Sequence, residues 1–241
     1  MLFLLPPSET KAVGGGSIKI TQSHLTFGGL DPTRDQVMAA YIKSTGDKKI
    51  LTAPTMAAIY RYTGTLYSAV HGRGLKGTPT ANNQLTEGEI ERARHSVLIQ
   101  SALFGVISAT DLIPEYKVSP SKLICGINLK RVWPEPHNQS AWSRLEAGPI
   151  IDLRSKAYAA LAPLPESLNS YTVDVFIERP NGKLEQLNHF NKKAKGQLVR
   201  SALTATKEPQ SLANLKTLAQ KVGLTLIVEG KSIKLITKEE N

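Results

Sequence analysis

Two short apolar runs constrain the fold most. One is LFLL at residues 2–5, closed by Pro6-Pro7. The other is PIIDL at residues 149–153, closed by Arg154 and Ser155. Both are too short for a buried helix. An apolar run of this length bounded by turn residues reads as a fully buried strand. Helical patterns fill the chain between and after them. Asp31-Pro32 supplies an N-cap with proline in the first turn, so residues 32–45 form a helix that Gly46 ends. Residues 53–70 read as helical with an interruption at Gly64. Thr86 caps a helix over 87–103, where Ile90, Ala93, Val97 and Ala102 recur at helical spacing.

The middle of the chain is more β-like. LFGVIS at 103–108 suits a central strand, and 121–134 a short strand or an irregular stretch. Residues 136–148 are helical, and KAYAAL at 156–161 is a short helix after the buried PIIDL strand. YTVDVFIE, the turn RPNGK and LEQLNHF then make a β-hairpin. Helices over 191–206 and 211–223 follow, and a terminal hairpin closes the sequence. Helices and strands are mixed, with hairpins towards the C-terminus. The pattern is α+β or mixed α/β, a mixed sheet with surrounding helices. No Pro/Ser-rich linker divides the chain, so a single domain over 1–241 is expected.

The composition, 41% hydrophobic and 21% charged, excludes wholesale disorder. A formal net charge of +10 favours an anionic partner, although a basic surface without a partner gives the same number. Cys125 is the only cysteine, so no internal disulfide or Cys-based zinc site is expected; its apolar surroundings, KLICGINL, suit a buried structural thiol. His24, His71, His95, His137 and His189 are scattered, so neither metal nor cofactor is expected. No run approaches a membrane span, and MLFLLPP is too short for a signal peptide, so a cytoplasmic protein is expected. GRGLKGT at 72–78 has glycines at P-loop spacing but threonine where lysine is needed, and reads as a loop.

Two segments carry candidate chemistry. Asp152, Arg154, Ser155 and Tyr158 follow a buried strand, at the strand end where α/β proteins place sites. An Asp-Arg pair with an N-cap serine explains the same residues. The second segment, NHFNKKAKGQLVR at 188–200, has four cations and no acid. With Asn191 as N-cap, Ala194, Leu198 and Ala202 form an apolar stripe that Val199 and Leu203 widen. Lys193 and Arg200 fall opposite, while Lys192 and Lys195 flank the first turn. Cations there are unfavourable unless an anion is bound. Gly196 costs the helix about 1 kcal/mol relative to alanine, a sign of close approach by backbone or ligand.

LLPPSETK, YRYTGTLYSAV, SALFGVISATDLIPEYKV, IIDLRSKAY and NHFNKKAKGQLVR, in this order, resemble the YaaA peroxide-stress family, and the DLRS.AY version resembles its actinobacterial-type branch. Pro7, Thr10, Gly64, Tyr67, Gly105, Asp111 and Tyr116 fall on family blocks, as do Lys192, Lys193, Lys195 and Gly196. Lys11 follows Thr10, whereas the better-studied branch has lysine where Glu9 stands here. The resemblance implies a cytosolic bacterial protein that limits iron damage during peroxide stress and binds DNA through a basic cleft. Lys192, Lys193, Lys195, Arg200, Arg61, Arg73 and Lys76 would then contact phosphates, with weak sequence preference. The alternative is an enzyme acting on a phosphorylated or anionic small substrate, with Asp152, Ser155, Tyr158, Lys192 and Lys195 as catalytic candidates.

Overall fold

The computed structural model describes residues 1–73, 84–145, 148–187 and 191–238. In chain order, strand β1 (Leu2–Leu5) leads through a glycine-rich loop to helix α1 (Asp31–Thr45). Strand β2 (Met56–Ala57), α2 (Ala58–Arg61) and α3 (Thr65–Val70) follow, then α4 (Glu87–Ser96). Next come β3 (Val97–Ser101), β4 (Gly105–Ser108), β5 (Leu112–Ile113), β6 (Leu123–Ile124) and β7 (Ile127–Asn128). After these lie α5 (Leu129–Val132), α6 (Pro134–Ser140), β8 (Ile150–Asp152) and α7 (Lys156–Ala159). Strands β9 (Ser170–Glu178) and β10 (Leu184–Gln186), helices α8 (Lys192–Leu203) and α9 (Leu212–Lys221), and strands β11 (Thr225–Glu229) and β12 (Ser232–Lys238) complete the order.

The two apolar runs lie side by side in the middle of one mixed sheet of order β11-β12-β9-β8-β1-β3-β4, with β10 paired to β9. Strand β1 runs parallel to both β3 and β8. The chain therefore leaves β1 towards one side of the sheet and later returns on the other. Crevices outside the carboxyl ends of strands at such a reversal are where open α/β sheets place ligands. Phe3, Leu4 and Leu5 are each at most 1% exposed, as a central strand requires.

Three differences from the sequence reading matter most. The helix expected over 87–103 ends at Ser96, and Val97–Ser101 is strand β3. All five residues of β3 are buried, so no polar face interrupts the apolar run to reveal its period. LFGVIS does form a strand, but β4 ends the sheet order rather than lying at its centre. Cys125 is exposed, not buried. It adopts φ +45°, followed by Gly126 at +82°, in the turn of the β6–β7 hairpin. Both left-handed residues match the right-handed strand twist, and the turn lifts the thiol outward.

The stripe expected on α8 is buried: Ala194, Leu198, Val199, Ala202 and Leu203 all join the core. Gly196 is where α8 crosses α3. A Cβ there would lie 2.2 Å from the Leu66 carbonyl oxygen and 2.7 Å from Ala69 Cβ. Backbone, rather than ligand, requires the glycine.

Candidate functional site

The segment after β1, from Pro6 to Gly16, leaves the carboxyl end of that strand and is tied down from several sides. Tyr67 donates its hydroxyl proton to the Pro6 carbonyl at 2.8 Å. Lys11 and Tyr62 form an antiparallel bridge, with Ala12 N donating to Arg61 O and Thr63 N to Thr10 O. Arg61 is the main clamp. Its guanidinium donates to the carbonyls of Ile113, Ala12, Gly14 and Pro54. Gly15 must be glycine in this wrap: it has φ +133°, and a Cβ would lie 2.3 Å from Thr55 O.

The clamp holds Lys11 on the wall of an open groove of about 570 Å³, lined also by Glu9, Asp47, Lys49, Glu115, Tyr116 and Lys117. Lys11 Nζ donates to Ser8 O at 3.1 Å. It lies 4.3 Å from the centre of the Tyr116 ring and 5.5 Å from that of Tyr62, as a cation over two aromatic faces. No carboxylate among the described residues comes within ion-pair distance of it. Burial lowers its pKa to about 8, although the Glu115 and Glu9 charges oppose the shift.

Behind Lys11 lies a group of phenols. Tyr62 Oη is 2.6 Å from Tyr116 Oη, which is 2.7 Å from Ser101 Oγ. Tyr62 and Tyr67 stack obliquely at 5.4 Å. Tyr158, half-buried on α7, lies within electrostatic reach of Tyr62, Tyr67 and Tyr116. Burial first, and the Glu9 charge second, raise its pKa to about 12. At the mouth, Ser8, Thr10 and Thr63 join hydroxyls, with Ser8 Oγ 3.2 Å and Thr63 Oγ1 2.9 Å from Thr10 Oγ1.

The candidates named from sequence have different fates. Arg61 is 0% exposed and committed to four carbonyls, so the expected phosphate contact is corrected to a structural clamp. Lys195 turns inward as well: at 6% exposure its Nζ donates to Leu153 O at 3.0 Å. Burial lowers its pKa, against the pull of Asp152 and Asp174. It joins α8 to the end of β8 and is no surface phosphate contact. Arg200 is half-buried and donates to Val70 O, the last residue of α3. Lys192 and Arg73 are exposed, and Lys193 is half-exposed. Lys76 and residues 188–190 lie outside the described residues.

Asp152 and Arg154 form a bidentate pair at 2.9 and 2.8 Å. Arg154 also donates to Ala162 O and Gln100 Oε1. The Asp-Arg pair of the alternative is thus present, with both Asp152 oxygens accepting from Arg154. Ser155 precedes α7, exposed and without a side-chain cap bond. Of the catalytic candidates, Tyr158 is the one within electrostatic reach of the tyrosines behind Lys11.

Sequence reasoning missed Lys11, Tyr62 and Ser101. The available signal was the polar segment SETK immediately after a buried strand. Among the described residues no three His, Cys, Asp or Glu side chains gather at metal-binding distance. No helix among them is long and apolar enough to cross a membrane.

The family model described as peroxide stress protein YaaA matches residues 27–225. A UPF0246 protein of Corynebacterium glutamicum is 31% identical, with 94% of each chain covered. One of Corynebacterium efficiens is 32% identical over 96% of this chain and 97% of its own. One of Streptomyces coelicolor is 29% identical over 95% and 93%. These sources agree with the branch that the DLRS.AY version suggested. With the family model covering most of the chain and relatives matching nearly end to end, this chain belongs to the YaaA peroxide-stress family.

Proposed function

We propose that this family member acts in the peroxide-stress response by binding a small anionic substrate in the groove beside the carboxyl end of β1, with Lys11 as its cation. The observation that carries the reading is the state of Lys11. It is a partly buried ammonium on a groove wall, with one carbonyl partner and no carboxylate partner among the described residues. A partly buried cation with no carboxylate in contact is costly, and an incoming anion lowers that cost. The position agrees with the general preference for ligands at the carboxyl edge of a sheet where strand order reverses.

The charges around the groove favour a small ligand over a nucleic-acid backbone. Glu9, Asp47 and Glu115 share the groove with Lys11, Lys49 and Lys117, so its lining is not of one sign as a phosphate track requires. The inward turn of Arg61 and Lys195 removes two further cations from such a track. A DNA-binding reading keeps one support, the formal net charge of +10, with Lys192 and Arg73 exposed.

The two readings separate in one comparison of wild-type protein and Lys11→Met. Thermal stability would be followed against inorganic phosphate, acetate and a short DNA duplex across salt concentrations. The small-anion reading expects stabilisation by a small anion in the wild type that is lost in the variant. Duplex binding that falls steeply with salt and ignores Lys11, with no response to either small anion, contradicts it.

A further inference from the structure

The mixed sheet ends in β4 on one side and in β11 on the other. The two ends are treated differently. At β4 the outer main-chain groups are met by side chains. Val106 N donates to His137 Nε2 at 3.0 Å, Val106 O accepts from Arg34 Nη2 at 3.0 Å, and Ser108 N donates to Asp111 Oδ2 at 3.0 Å. All four residues of β4 are buried. Strand β10, which borders β9, is only three residues long. Covered edges and very short edge strands are ordinary ways of keeping a sheet from pairing with another chain.

Strand β11 has neither protection among the described residues. It pairs with β12 over five residues in unbroken register, across the two-residue turn Gly230-Lys231, with Gly230 at φ +58°. Such a turn makes Glu229 and Ser232 a hydrogen-bonded pair. The alternation of an antiparallel ladder then points the main-chain groups of Thr225, Ile227 and Glu229 towards β12. Those of Leu226 and Val228 point outward, and no hydrogen bond reaches them among the described residues. From Leu224 to Val228 the edge carries no charge and no proline. Ile227 and Val228 are each 40% exposed. Glu229, the first charge, is held by Lys234 Nζ at 2.8 Å.

We propose that β11 pairs antiparallel with β11 of a second copy of this chain, about a two-fold axis through the Ile227 pair. In that register Leu226 faces the partner's Val228, and Val228 the partner's Leu226. Every outward N–H and C=O of both residues is then bonded. Ile227 packs against its own copy, and Glu229 falls opposite Thr225, so no like charges meet. Sliding the register loses this fit. One way it needs Leu224 N, already bonded to Ala219 O, and the other way it runs into the Gly230 turn. The strand is its own complement, as an isologous interface requires, and this favours a second copy over an unrelated strand. So few residues a side make a small contact, and the dimer is weak and concentration-dependent.

The test is sedimentation velocity of the full chain from about 10 µM to about 1 mM, at moderate salt that screens the net charge of +10. Amide exchange is followed by NMR at low and high concentration. The wild type is expected to pass from monomer to dimer. The Leu226 and Val228 amides should slow with concentration, whereas those of Ile227 and Glu229, already bonded to β12, should change little. Val228→Pro removes an N–H that lies outside the β12 ladder. It should keep wild-type stability in urea and weaken the dimer by at least about tenfold. Thr225→Lys sets an ammonium opposite Glu229 and should tighten the dimer about threefold, and Thr225→Glu should weaken it. The exposed Thr225 keeps the test decisive should the proline variant fold poorly.

A wild type that stays monomeric throughout leaves this edge to another chain and overturns the proposal. So does a dimer in which Leu226 and Val228 exchange as in the monomer, or one indifferent to the Val228 and Thr225 substitutions, because its contact lies elsewhere.

Discussion

Replacing Lys11 by methionine should change how stability depends on pH. In the folded protein burial lowers the Lys11 pKa from 10.5 to about 8. Below pH 8 both folded and unfolded chains carry the charge, and the folded state bears the full cost of burying it. Between pH 8 and 10.5 the folded chain releases the proton while the unfolded chain keeps it. The unfolded state then binds more protons, so stability rises with pH across that window. A shift of this size corresponds to about 3 kcal/mol at about 1.4 kcal/mol per unit. Partial exposure of the side chain to solvent reduces the expected effect to about 1–2 kcal/mol. Urea unfolding from pH 7 to 10 measures it. The wild type should gain about 1–2 kcal/mol relative to Lys11→Met over this range. The difference in slope is the decisive quantity, because the variant also loses the Ser8 hydrogen bond and the contact with Tyr116. Parallel curves for the two proteins would refute the reasoning.

Gly196→Ala should destabilise by about 2–4 kcal/mol, despite alanine's better helix propensity, because its Cβ would overlap the Leu66 carbonyl and force α3 and α8 apart; a neutral or stabilising result in urea unfolding counts against that packing. Arg154→Met leaves Asp152, 6% exposed, without its counter-charge, and about 3–5 kcal/mol should be lost. A loss under about 1 kcal/mol would show that the pair contributes little. Cys125 should react with a thiol reagent in the folded protein, one equivalent per chain, without denaturant. A thiol that reacts only after unfolding contradicts the exposed turn.

Legibility of the sequence followed the range of the interaction. The α8 stripe could be read because its periodicity lies within one element. Gly196 announced a close approach, but the partner, the Leu66 carbonyl, lies far away in sequence. Strand β3 was hidden because a segment buried on every side lacks the alternation that separates strand from helix. Charge misled most. Arg61 and Lys195 look like surface cations in the sequence, yet their acceptors are main-chain carbonyls, which every sequence contains and no motif marks. The groove needs Lys11 from the β1 loop, Asp47 and Lys49 from beyond α1, and Tyr116 from beyond β5. Only the sheet topology brings them together.

The central claim, that an anion binds against Lys11, is tested most directly by the protons taken up on binding. With a pKa near 8 in the free protein, Lys11 is about one-tenth deprotonated at pH 7 and about three-quarters at pH 8.5. An anion raises the pKa back towards its ordinary value, so binding draws in the missing proton. Calorimetric titration with the better of phosphate and acetate, in two buffers of different ionisation enthalpy, gives the number taken up. At pH 8.5 the wild type should take up clearly more protons per ligand than at pH 7, approaching about 0.7, and Lys11→Met should give no binding heat. Wild-type uptake that does not rise between pH 7 and pH 8.5 would contradict the account.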